Sequence, residues 1–107
     1  MVAQSIIESV RIYLRLVNES GIPVSFGVLF GSQVKGTANE QSDIDVIVVS
    51  SHFDGRKKYA EVSKLWRLTA RSNNRLEPIP VGEREWKEDD SRAIVEIARR
   101  EGQIVEV

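Results

Sequence analysis

From Ser5 onward, Ile6, Ile7, Val10, Leu14 and Val17 recur at three- and four-residue steps. This spacing predicts an amphipathic helix, with Gly21 and Pro23 placed to end it. Val24 to Phe30 is rich in β-branched and aromatic residues and stops at Gly31, as a buried strand emptying into a turn does. The polar stretch Gln33 to Ser42 has no helical period and reads as a loop or partly ordered turn. Asp43 to Ser50, DIDVIVVS, is almost continuously apolar after its two acids and predicts a central strand. Beyond the polar break His52 to Arg56, Tyr59, Val62, Leu65, Trp66 and Thr69 share one face of a second helix, which assigns Tyr59 and Trp66 to the core; Ser72-Asn73-Asn74 ends it. Leu76 to Val81 predicts a third strand, at an edge because Pro78 and Pro80 cannot donate ladder hydrogen bonds. Gly82 to Asp90 reads as a charged, solvated loop. Ser91 is then placed to cap a last helix running to Arg100 or Glu101, with Ile94, Ile97 and Ala98 inward and Gly102 at its end. Gln103 to Val107 suits a short final strand. The order α-β-β-α-β-α-β predicts one α/β domain over residues 1–107, a small mixed sheet with helices packed on one face.

Composition narrows the partners and the chemistry. Fifteen basic against sixteen acidic residues leave a net charge of -1, so no global positive field favours nucleic acid, although a local patch is compatible with it. The chain has no cysteine, which excludes disulfides, thiolate catalysis and cysteine-based zinc sites. A single histidine, His52, excludes multi-histidine metal sites and reads as a surface residue at a strand exit. No apolar run approaches the length needed to span a bilayer, so the expectation is a cytoplasmic protein without a membrane partner.

The candidate chemistry gathers at the start of the predicted central strand. Alternate strand residues face the same side, so Asp43 and Asp45 lie together, two residue rises or about 6.6 Å apart along the backbone. Their carboxylates can converge on one cation, while Ile44, Val46 and Val48 turn into the core. Two such close carboxylates repel, and Mg²⁺, which prefers oxygen ligands, would relieve that repulsion. An isolated Asp-x-Asp is more often a pair of solvated strand-end residues. Here it follows a buried strand, Gly31-Ser32, and a polar loop holding Lys35 and Gly36.

The string GSQVKGTANEQSDIDVIVV resembles the Gly-Ser, ten-residue gap, Asp-x-Asp signature of the polymerase-beta-like nucleotidyltransferases, and especially the minimal nucleotidyltransferases. The late REGQIVEV is similar to the helix-Arg-Glu-Gly-strand ending of that group. The resemblance implies a nucleotidyltransferase fold that uses Mg²⁺ and a nucleoside triphosphate such as ATP. Gly31 would let the backbone approach the triphosphate, Ser32 would supply a hydroxyl and an N–H to phosphate oxygens, and Asp43 and Asp45 would hold Mg²⁺. The family's third carboxylate, a ligand and a base toward the acceptor hydroxyl, matches Glu77, with Glu83 or Glu85 as alternatives if the strand register shifts. Lys35 could reach the triphosphate or be a solvated loop residue, and Gln33 stands where the family often carries Arg.

The resemblance implies transfer of AMP from ATP to a hydroxyl, in the setting of a toxin–antitoxin pair. Minimal nucleotidyltransferases of this type act as antitoxins beside a separate HEPN-domain toxin, which they modify with adenylyl groups. Self-association is compatible with the same reading. The alternative is a non-catalytic module that neutralises its partner by binding and keeps the acidic site for metal or nucleotide alone.

Overall fold

A computed structural model describes residues 2–39, 41–88 and 92–107. At its centre lies β2 (Ile44–Val49), paired antiparallel with β1 (Phe26–Phe30) and parallel with β3 (Leu76–Val81); β4 (Gln103–Val105) adds antiparallel to the far side of β1. Among the described residues this makes a four-stranded mixed sheet in the order β3-β2-β1-β4. The edge position of β3 agrees with its prolines: Ile44 N–H donates to the Arg75 carbonyl and Ser50 N–H to that of Val81. This phase turns the odd-numbered residues toward β2 and leaves the Pro78 and Pro80 nitrogens on the outer edge, where no partner strand can use them.

Helix α1 (Gln4–Glu19) buries Val10, Tyr13, Leu14 and Val17. It ends in a Schellman motif, with Gly21 at φ 107°, Gly21 N–H on the Asn18 carbonyl and Ile22 N–H on that of Val17. Helix α3 (Tyr59–Thr69) lies beside it and buries Leu65 and Thr69. The Tyr13 hydroxyl donates to the Leu65 carbonyl at 2.7 Å and ties the two helices together. Burial pushes the Tyr13 phenol up, so it stays a neutral donor. Together α1 and α3 cover the sheet face formed by Leu29, Ile44, Val46, Val48, Leu76 and Val105.

The opposite face, Val28, Phe30, Ile47, Val49 and Val81, is covered by α5 (Ala93–Glu101) through Val95 and Ala98. The expected helices on one face are thus present as α1 and α3, and α5 adds cover on the other. Four local expectations change. Ser32–Lys35 forms a short helix, α2, closed by Gly36 at φ 77°, where a loop is expected. Glu83–Glu88 forms a helix, α4, instead of a solvated loop. Its N-terminus is served from a distance by Asp54, which accepts from Arg84 N–H at 3.0 Å, and its Trp86 meets Phe26 edge-on at 5.7 Å. Tyr59 and Trp66 are not core: they are 87% and 49% exposed, and the residues that α3 buries are Leu65 and Thr69. Ile97 is likewise exposed, and Val95 takes the inward position expected of it. The expected cap at Ser91 lies outside the described residues; Arg92, just before α5, makes no side-chain capping bond.

Glu85 ties α4 to its surroundings. Burial alone would raise its carboxyl, but hydrogen bonds from Arg92 (2.8 Å), Gly82 N–H (3.0 Å) and Lys57 (3.1 Å) outweigh that and hold it below the usual range. A carboxylate with a lowered folded-state pKa contributes stability that is present above the unfolded value, about 4.3, and is lost as pH falls through the folded value. Glu85→Gln is therefore expected to lose on the order of 1 kcal/mol at pH 7, discounted for partly exposed partners. In urea titrations against pH, the gap from wild type should close below about pH 4.

Candidate active site

The candidate site sits where β1 ends and β2 and β3 begin. In the antiparallel register Phe30 lies opposite Asp45, and in the parallel register Asp45 lies beside Glu77. Neighbouring strands run about 4.8 Å apart, so side chains of registered residues on one face are in reach of each other. Asp45 and Glu77 share the face of Ile47, Val49 and Val81 and lie near the starts of their strands. Asp43, one residue ahead of β2, is exposed, while Asp45 and Glu77 are half-buried.

The Glu77 carboxyl is raised above its ordinary value. Burial is the largest cause, then hydrogen bonding with Asp45 and the charges of Asp43 and Asp45. These effects act together because three acids occupy one corner. The carboxyls adjoin without yet converging: among the described residues, no three acidic, histidine or cysteine side chains form a ready-made metal cluster. The donor set nevertheless suits a hard divalent cation, being all carboxylate oxygen with mutual repulsion for a cation to offset.

Gly31 is bound to this corner by two constraints. Its φ of 76° with ψ of -145° is a conformation open essentially to glycine alone, and a Cβ there would stand 2.6 Å from Asp45 Oδ2. The chain then turns at once into α2, with Ser32 as its first residue and half-buried, and with Lys35 exposed at its end. Glu83 and Glu85 are not brought to the site. Glu83 accepts from the Ser25 hydroxyl and Glu85 is held by Arg92 and Lys57, both beyond the opposite end of β3. A cleft of about 410 Å³ lined by Phe53, Asp54, Lys57, Arg84, Glu85 and Glu88 also lies at that far end, away from the carboxylates. His52 pairs with Glu61 at 2.7 Å, on the 3₁₀ turn that follows β2.

Two residues escape a reading by motif. Gln33 is buried, and its side-chain amide donates to the Asp43 carbonyl at 3.3 Å. Arg75 donates from Nε to the Ser42 carbonyl at 2.9 Å and from Nη2 to that of Asn39 at 3.0 Å. Gln33 carried one signal, its departure from the usual Arg. Arg75 carried none, because its partners lie more than thirty residues away.

A folded-state pKa above the unfolded one means that stability falls as pH rises from the unfolded value through the folded one and stays lower beyond it. With metal chelated, Glu77→Gln is thus expected to melt higher than wild type at pH 7, and the gain should vanish toward pH 4, read by circular dichroism. Gly31→Ala is expected to cost about 1–3 kcal/mol in the same melts, from backbone strain and displacement of Asp45.

No curated protein matches the chain. Among solved structures, one described as a toxin–antitoxin with AMP-PNP superposes with a TM-score of 0.61 at 18% identity, covering 88% of this chain and 70% of that one. A Sulfolobus solfataricus protein classed as a nucleotidyltransferase gives a TM-score of 0.51 at 19% identity, covering 95% of this chain and 86% of that one. At these identities the likeness is one of fold. The family model described as nucleotidyltransferase domain matches residues 11–101, from within α1 to the end of α5, and so the chain belongs to the nucleotidyltransferase domain family.

Proposed function

We propose that this chain is a Mg²⁺-dependent nucleotidyltransferase that moves AMP from ATP to a hydroxyl of a separate partner protein, as the antitoxin of a toxin–antitoxin pair. The observation that carries the proposal is the in-register placement of Glu77 beside Asp45, with Asp43 in the same electrostatic neighbourhood and Gly31 against Asp45. Asp43, Asp45 and Glu77 would hold Mg²⁺, which when bound would neutralise triphosphate charge and stabilise the departing pyrophosphate. Gly31 admits the triphosphate close to the backbone, and Ser32 offers its hydroxyl and N–H to phosphate oxygens. Lys35, exposed on α2, adds a mobile positive charge.

In the proposed reaction the acceptor oxygen bonds to the α-phosphorus as the bond to the β-phosphate oxygen breaks, and pyrophosphate leaves. Glu77, within reach of the acceptor hydroxyl, would take its proton. Asp43 is exposed, so the site opens outward, which suits an acceptor that supplies its own walls, such as a protein surface. The superposed toxin–antitoxin structure containing AMP-PNP supports an adenine nucleotide and a protein partner. We further propose a HEPN-domain toxin as that partner.

The test uses the purified chain, Mg²⁺, a co-purified HEPN-domain partner, and ATP labelled at the α- or the γ-phosphate. Label from the α position should become covalently attached to a Tyr, Ser or Thr of the partner, and γ label should not. Chelation should stop transfer, and Asp45→Asn should lower its rate by at least about 100-fold while remaining folded, as expected when a charge-stabilising group is lost. Equal neutralisation of the partner by wild type and Asp45→Asn, with no α label transferred, would replace this reading with that of a binding module.

A further inference from the structure

Arg75 stands two residues before Glu77, at the entrance to β3, yet all its side-chain hydrogen bonds run to the segment that carries Asp43. Nε reaches the Ser42 carbonyl at 2.9 Å and Nη2 the Asn39 carbonyl at 3.0 Å, while the Arg75 carbonyl accepts Ile44 N–H at 2.8 Å. Ser42 and Ile44 are the two neighbours of Asp43, so one residue grips the chain on both sides of that aspartate. Its own backbone is held in turn, since Arg75 N–H donates to Asn73 Oδ1 at 2.9 Å. From the other direction Gln33 donates to the Asp43 carbonyl. The side chain of Asp43 is exposed and no strand pairing begins until Ile44, so nothing else among the described hydrogen bonds fixes this stretch of backbone from outside it.

We infer that Arg75 is a positioning residue: it clamps the backbone around Asp43 and so sets that carboxylate against Asp45 and Glu77. The planar fork of a guanidinium suits the task, because the two carbonyls are reached from two separate nitrogens of one rigid plane, and the single nitrogen of a lysine cannot occupy both places. Catalytic geometry tolerates little error, and a displacement of about 1 Å can cost a factor of about 100 in rate. The place of Arg75 in catalysis rests on the proposed function above; its clamping of the segment does not.

Two readouts keep these apart. In the metal-free protein, hydrogen exchange at the bonded amides of Gln41 and Ser42 should speed up by about 10-fold or more in Arg75→Met, with the β2 amides of Val46 to Val48 unchanged and melting still cooperative. Arg75→Lys should fall between, and Arg71→Met, at an exposed arginine just after α3, should match wild type. In the α-label transfer assay, Arg75→Met should lose about 10- to 100-fold in kcat with a smaller change in the KM for ATP, partly restored in Arg75→Lys. Unchanged exchange at Gln41 and Ser42 in Arg75→Met would overturn the clamp whatever the activity. Faster exchange with undiminished kcat would overturn its role in positioning Asp43. If wild type transfers no label at all, the catalytic reading fails and the exchange result still decides the clamp.

Discussion

Six consecutive residue pairs, from Ile44 beside Leu76 to Val49 beside Val81, join β2 to β3 in parallel, and the rest of the molecule depends on this register. Because side chains alternate, the register sorts both strands at once: Ile44, Val46, Val48 and Leu76 go to the face covered by α1 and α3, and Asp45, Ile47, Val49, Glu77, Ile79 and Val81 to the other. A slip of one residue would send Glu77 to the α1/α3 core and put Leu76 or Pro78 beside Asp45. Hydrophobic burial along the strands therefore enforces a like-charge contact at their mouth that the carboxylates themselves resist.

That contact is tolerable because of where it falls. On the face turned to α5 the two strands bury apolar residues toward one end, and the acids take the other, where Asp43 is exposed and Asp45 and Glu77 are half-buried. The raised Glu77 carboxyl records the partial burial first, and then the closeness of Asp45 and Asp43. A hard cation would offset both unfavourable features of this corner, the mutual repulsion and the cost of partial burial. The surrounding backbone is correspondingly constrained: Gly31 is pressed against Asp45 in a conformation reserved for glycine, and Gln33 and Arg75 hold the main chain at Asp43 and its neighbours.

The opposite end of the sheet is organised by charge of both signs. Asp54 reaches across to serve the N-terminus of α4, Gly82 leaves room for it, and Glu85 collects Lys57, Arg92 and the Gly82 amide. Glu83 and Glu85 are thereby neither loose nor merely solvated. Trp86 follows them, and its ring completes the cover over Phe26.

The sequence by itself determined what period and local chemistry control: α1 from its three- and four-residue steps, β2 from its apolar run, the edge position of β3 from its prolines, and the nucleotidyltransferase signature from Gly31-Ser32 and Asp43-x-Asp45. Only the tertiary structure decided matters that turn on distant partners. Period 3.6 put Tyr59 and Trp66 on the same stripe as Leu65, but which part of a stripe is covered depends on the neighbour that arrives, and α3 meets its neighbours along Leu65. Helix α4 has too few apolar residues to announce itself, and its cap comes from Asp54, thirty residues earlier. That Glu77, and not Glu83 or Glu85, lies beside Asp45 was decided by the β2–β3 register, because register is a property of two strands and neither carries it alone. Arg75 is the clearest case: its partners Asn39 and Ser42 are remote in the chain, and hydrogen bonds to main-chain carbonyls leave no mark on the residue types that make them.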